Sequence, residues 1–140
     1  MLWSIIAVAA TLFAAAINFA IRAAGHVGAW NFAVSAALAV LWVALVNMRR
    51  ERGMLIFGGV FWGLSFLAGG VAMLGEAGGF SLRLLEVPLH LLTAPLYGVK
   101  LFLSYAESGL AVGALLAAAL CLSCALVYGK EYGYAEDEAE

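Results

Sequence analysis

The apolar residues of this chain are grouped into long runs without charged side chains. Four such runs are Leu2–Ile21, Val27–Val46, Met54–Leu74 and Gly109–Tyr128. A helix that crosses a hydrocarbon core of about 30 Å needs roughly 20 apolar residues. No ten-residue alternation of polar and apolar positions suggests the strands of a barrel. The pattern therefore predicts an all-α integral membrane protein.

A fifth segment, residues 82–103, has the length of a crossing but contains charged residues and two prolines. Arg83 and Glu86 lie near one end and Lys100 near the other, where long side chains can reach the headgroups. We therefore predict a compact bundle of five hydrophobic helices. The alternative is four spans plus one interfacial or re-entrant helix over residues 82–103.

Composition supports the membrane class and divides the chain in two. Hydrophobic residues make up 66% of the chain and charged residues 11%, against roughly half and about a quarter in soluble domains. The formal net charge is −2, yet five of the nine acidic residues follow Tyr128. We expect a transmembrane bundle over residues 1–128 and an acidic C-terminal tail over residues 129–140.

The orientation follows from the arginines between the second and third runs. Arg49, Arg50 and Arg52 make this loop cytoplasmic by the positive-inside rule, which places the N-terminus on the same side of a plasma or inner membrane. The tail lies outside if residues 82–103 cross, and inside if they do not. Counting basic residues does not choose between these two topologies.

The segment 82–103 carries its polar residues at alternating intervals of three and four. On one continuous helix this spacing aligns them on one face, which we call the polar stripe. Its members are Arg83, Glu86, His90, Thr93, Tyr97, Lys100 and Ser104. The stripe is either a pathway for ions, protons or substrate, the polar side of an interfacial helix, or a surface for another subunit.

Small residues predict where helices pack closely in lipid. The predicted packing residues are Gly59, Gly63 and Gly70 on the third run and Gly109, Gly113 and Ala117 on the last. Packing within the chain is favoured over a homodimer seam. Asn18 is predicted to hydrogen-bond across the bundle, towards Asn31, Ser35 or the polar stripe.

Aromatic residues near the predicted span ends are typical of an interfacial belt. They are Trp3, Trp30, Trp42 and Tyr128, whereas Trp62 lies deeper. Cys121 and Cys124 lie inside an apolar helix and are interpreted as small apolar residues. The two histidines, His26 and His90, are placed too differently to share a haem. We therefore expect no cofactor and no metal. We also expect no nucleic-acid partner, because the only basic cluster is three arginines in a short membrane loop.

Three functions remain open from the sequence. The leading hypothesis is a non-catalytic subunit or accessory component of a membrane complex, with the lipid bilayer and either other proteins or further copies of itself as partners. The second is a small transporter or a proton- or ion-conducting channel that uses the polar stripe. The third is an intramembrane enzyme acting on lipid, with Glu86 and His90 as an acid–base pair.

Overall fold

The computed structural model describes residues 1–24, 27–78, 85–102 and 106–133 as an all-α structure. Its α-helices are α1 (Leu2–Ala24), α2 (Ala29–Met48), α3 (Arg52–Gly78), α4 (Glu86–Thr93) and α5 (Ala106–Tyr132). A 3-10 helix, Ala94–Phe102, directly follows α4. The predicted helical class is confirmed.

Four of these helices, α1, α2, α3 and α5, are long and apolar enough to cross a membrane. Large apolar side chains project outward along them, among them Leu12, Val40, Leu67 and Leu126, each more than half exposed. An apolar surface of this extent is unusual for a soluble monomer and suits contact with lipid. Backbone groups in lipid must find partners within the protein, which is why these runs are helical.

One end of the bundle, which we call the arginine end, collects the start of α1, the α2–α3 connection and the end of α5. The ammonium group of Met1 lies 2.7 Å from Glu51 Oε2. The guanidinium of Arg50 pairs with Glu131, and Tyr132 OH donates to the carbonyl of Arg50 at 2.9 Å. Because α3 and α5 run antiparallel, Gly78 and Ala106 lie at the opposite end. The segment between them therefore makes no net crossing.

This geometry agrees with the second predicted arrangement, four long helices plus a re-entrant segment. The described portion of this segment, residues 85–102, does not form a single continuous helix. Pro95 has no N–H, so the next α-helical bond to Leu91 cannot form, and the backbone tightens into the 3-10 helix after Thr93. At the other boundary α5 continues past Tyr128 to Tyr132, so the predicted tail begins as helix.

The centre of the core is aromatic and lies where α2 and α3 meet. Trp42 and Trp62 are fully buried and pack edge to face with ring centroids 5.7 Å apart. Trp42 Nε1 donates to Thr11 Oγ1 at 3.0 Å, which ties α2 to α1. The prediction that Trp42 belongs to an interfacial belt is wrong, because Thr11 provides inside the core the hydrogen bond that an indole usually finds at the interface.

Candidate functional site

The polar stripe is divided between two elements. Glu86 is exposed in the first turn of α4, and His90 is half-buried in its last turn. Tyr97 and Lys100 lie three residues apart on the 3-10 helix, with Lys100 Nζ donating to Tyr97 OH at 3.2 Å. Thr93, at the end of α4, donates to its own helix at Leu89 O. Arg83 and Ser104 lie outside the described residues.

The change of helix type separates these side chains. Successive residues turn by about 100° in an α-helix but by about 120° in a 3-10 helix. The single face predicted from the spacing therefore does not continue past Thr93. Glu86 and His90 stay on α4, none of whose residues is buried, while Tyr97 and Lys100 follow the buried stretch Ala94–Leu96.

A buried polar cluster holds the 3-10 helix against α1 and α2. Asn18 Nδ2 donates to Ser35 Oγ at 3.0 Å and to the carbonyl of Pro95 at 3.3 Å. Asn31 Nδ2 donates to Asn18 Oδ1 at 3.0 Å. Gly98 N–H donates to Ser35 Oγ at 3.1 Å. The prediction that Asn18 bonds across the bundle towards Asn31 and Ser35 is confirmed; its bond to Pro95 O ties it to the re-entrant segment as well.

Ser35 uses its full hydrogen-bonding capacity in this cluster. Its hydroxyl donates to Pro95 O at 2.8 Å and accepts from Asn18 and Gly98, which are the one donor and two acceptor positions a hydroxyl has. All three polar side chains of the cluster are at least 97% buried. Their mutual bonding removes the cost that isolated polar groups would have at this depth.

Gly98 allows the 3-10 helix to pack backbone to backbone on α2. A Cβ atom at this position would lie 1.9 Å from Asn31 O and 2.7 Å from Ser35 Oγ. Only glycine can place its backbone this close to α2. Gly98 was not among the predicted packing residues, although a glycine three residues after Pro95 is a signal of close backbone approach.

Beside the cluster, a small cleft of about 20 Å³, room for about one water molecule, lies between α3, α5 and the re-entrant segment. Its lining is mostly apolar, but it includes Ser65, Thr93 and Tyr97. The hydroxyls of Ser65 and Thr93 donate to carbonyls of their own helices at 2.9 and 2.8 Å. The cleft therefore offers hydroxyl oxygens as acceptors in an apolar setting.

The close packing of α3 uses a different set of glycines from the predicted one. A Cβ at Gly58 would lie 2.5 Å from the Trp42 ring and 2.7 Å from Cys124 Sγ, and one at Gly69 would lie 2.9 Å from Ala114 Cβ. These positions require glycine because neighbouring helices occupy the space.

The predicted glycines of α3 lie on a different face, turned by roughly 100° around the helix axis from Gly58 and Gly69. A Cβ at Gly63 would lie at an ordinary contact distance, 3.5 Å, from Cys121 Sγ, and this thiol donates to Gly59 O at 3.3 Å. At Gly59 and Gly70 no described atom lies within 4 Å of where a Cβ would be. We call the face of α3 that carries Gly59 and Gly70 the open glycine face; Gly63 lies at its edge, against Cys121.

The predicted packing residues of α5 differ in how closely other residues surround them. Ala117 is 1% exposed, and a Cβ at Gly113 would lie 3.9 Å from Leu96 Cβ. Gly109 lies in the first turn of α5, where no side-chain environment is described. Cys124 is fully buried. In the described part of the chain, no group of three His, Cys, Asp or Glu residues could hold a metal ion.

The three arginines at the α2–α3 connection contact two other helices, α1 and α5. The Arg49 guanidinium carbon lies 4.2 Å from the centroid of a Trp3 ring on α1. Arg50 pairs with Glu131, and Arg52 lies about 6 Å from the rings of Tyr128 and Tyr132 on α5.

Glu51, between these arginines, caps the start of α1. Its carboxylate accepts from the backbone N–H and the hydroxyl of Ser4, at 3.1 and 2.8 Å, as well as pairing with Met1. Bonds from the ammonium group and from Ser4 lower the pKa of Glu51 to about 2. The carboxylate therefore stays ionised at neutral pH.

Fold and site together define the class of protein. It is an all-α membrane-type bundle in which four long helices surround a broken re-entrant segment held by a buried polar cluster. Comparison with known protein families, curated proteins and solved structures gives no match to this chain.

Proposed function

We propose that this chain is a non-catalytic subunit of a membrane complex and that it docks a partner's transmembrane helix on the open glycine face of α3. The observation that carries the proposal is the contrast between the two glycine faces. The Cβ positions of Gly58 and Gly69 are filled by other helices of the chain, whereas a Cβ at Gly59 or at Gly70 would meet no atom of another described element within 4 Å.

A glycine inside a helix is less favourable than alanine by about 1 kcal/mol. In membranes this cost is offset when the missing side chain lets another helix approach closely. On the Cβ side of Gly59 and of Gly70, the described part of this chain provides no such helix. A helix from another protein would fill the space.

The buried polar cluster supports a structural role in the same way. Asn18, Asn31 and Ser35 bond to one another and to the re-entrant backbone. Groups that satisfy each other hold the fold and leave little capacity for a substrate. We therefore assign the cluster to stability and the open glycine face to assembly.

The test is site-specific photo-crosslinking of the full chain in native membranes. A photoreactive residue at position 70 should give one discrete crosslinked product, and the same residue at lipid-facing Val40 should not. Gly59→Leu should abolish that product without loss of folding, because the site is open, whereas Ala33→Leu on the exposed side of α2 should leave it unchanged.

The mass of the product identifies the occupant. A product larger by the mass of another protein supports the proposal, and one of twice this chain's mass replaces it with a homodimer. Equal, diffuse labelling at positions 70 and 40 would show that lipid covers the glycine face and would overturn the docking role.

A second candidate function is conduction of protons or small polar solutes past the cleft that Ser65, Thr93 and Tyr97 line. The hydroxyls in that cleft favour it. Flux into liposomes should then fall for Thr93→Val, which removes one of the hydroxyls that line the cleft. Flux equal to that of protein-free liposomes for the wild type would exclude this function.

A further inference from the structure

The arginine end of the bundle carries cations that the described carboxylates do not neutralise. Two carboxylates of the described residues lie at this end, and both are engaged: Glu51 with the Met1 ammonium and Ser4, and Glu131 with Arg50. Arg49 and Arg52 have no ion pair with any described carboxylate. Both side chains are exposed.

The backbone of the α2–α3 connection sends these two guanidinium groups in different directions. Arg50 has a φ of 47°, a left-handed conformation that is uncommon outside glycine. This reversal is held by Tyr132 OH, which donates to Arg50 O at 2.9 Å. Arg49 consequently reaches α1 and Arg52 reaches α5.

Aromatic rings support both guanidinium groups at the level where the long helices end. Arg49 lies over Trp3 at 4.2 Å, and Arg52 lies 5.9 and 6.0 Å from Tyr128 and Tyr132. Trp and Tyr near helix ends are typical of the membrane interface. A ring positions a guanidinium through its π face and leaves the N–H donors free for an anion.

We infer that Arg49 and Arg52 bind the headgroup phosphates of anionic phospholipids at the arginine end. A guanidinium presents paired donors that match two phosphate oxygens. The acyl chains of such a lipid would lie along the exposed apolar surfaces of α1 and α5. This inference does not depend on the proposed docking role, which uses a different part of α3.

The experiment measures lipid retention by native mass spectrometry of the full chain in mild detergent. The wild type should retain phosphatidylglycerol in preference to phosphatidylcholine. Arg49→Gln and Arg52→Gln should each lower the affinity for phosphatidylglycerol about fivefold, the effect expected of one basic residue near an anionic surface. Affinity for phosphatidylcholine should stay unchanged in both variants.

Lys130→Gln is the matched control, because Lys130 is an exposed cation in the last turn of α5 that forms no ion pair or ring contact with a described residue. Its effect should stay within twofold. An equal loss for Lys130→Gln and Arg52→Gln would mean that diffuse charge rather than a built site attracts the lipid, and would overturn the inference.

A soluble probe separates a lipid site from a general phosphate site. Glycerol 3-phosphate carries the phosphate without acyl chains and should compete at least tenfold more weakly than phosphatidylglycerol. Equal competition would overturn the assignment to lipid. If Arg49→Gln does not fold, Arg52→Gln alone decides, since the two residues are held by different helices.

Discussion

Replacing Gly98 with alanine tests the role of the buried polar cluster most directly. The added Cβ would lie 1.9 Å from Asn31 O, whereas an ordinary contact begins near 3.4 Å. The 3-10 helix must therefore move from α2 by roughly 1.5 Å, the difference between these two distances. A shift of that size breaks the bond from Gly98 N–H to Ser35 and weakens the two bonds that Pro95 O accepts.

The expected destabilisation is about 3 kcal/mol. Hydrogen bonds between membrane helices average about 0.6 kcal/mol each, so three of them contribute about 2 kcal/mol. Overpacking in a close-fitted core adds at least about 1 kcal/mol. Both contributions act together because the same displacement causes them.

Reversible unfolding by SDS in mixed micelles, followed by far-UV circular dichroism, measures this change. Gly113→Ala is the matched control, since its Cβ would meet Leu96 at an ordinary 3.9 Å, and it should change the unfolding free energy by less than about 0.5 kcal/mol. If Gly98→Ala were as stable as Gly113→Ala, the backbone contact between the 3-10 helix and α2 would not exist as described.

Three further predictions use the same unfolding assay. Asn18→Ala removes three buried hydrogen bonds and should cost about 2 kcal/mol; a loss under about 0.5 kcal/mol would contradict its central role. Gly58→Ala should lower the unfolding free energy strongly because its Cβ would lie 2.5 Å from Trp42, while Gly59→Ala should leave it unchanged. Equal effects of the two substitutions would contradict the close packing at Gly58. Glu51 has a lowered pKa, about 2 against 4.5, so its stabilisation is present above pH 4.5 and is lost as the pH falls towards 2. Glu51→Gln should therefore lower the free energy of unfolding at pH 6 and leave it unchanged near pH 2. A difference between the variant and the wild type that does not depend on pH would refute this.

The four long helices could be predicted from the sequence because the requirement that defines them is local. Each run needs only enough apolar residues, and each backbone group bonds within its own helix. The bond from Asn18 to Ser35 was predictable for a related reason, since a buried amide in an apolar helix must find a polar partner and few were available.

The break at Ala94 could not be predicted, because the spacing of the polar stripe is equally consistent with an unbroken helix. A proline does not by itself predict a break in the helix, because Pro88 lies within the first turn of α4, where its missing N–H is tolerated. What distinguishes Pro95 is the pair of donors, Asn18 and Ser35, that reach its carbonyl from other helices. Those donors are more than 50 residues away in sequence.

The packing register of α3 was ambiguous for a geometric reason. Glycines occur there in adjacent pairs, Gly58 with Gly59 and Gly69 with Gly70, and neighbouring residues differ by about 100° around the helix. Two glycine faces therefore fit the sequence equally well. Trp42 and Ala114 select the face of Gly58 and Gly69.

The buried polar cluster also provides a signature by which distant relatives of this chain can be recognised. Lipid-facing positions accept any apolar residue, so overall identity is quickly lost in such a bundle. Asn18, Asn31 and Ser35 each have a partner of fixed chemistry, and Gly98 has no room for a larger residue. An Asn on the first helix, Asn-x-x-x-Ser near the start of the second and Pro-x-x-Gly before the last would identify a chain with the same re-entrant segment.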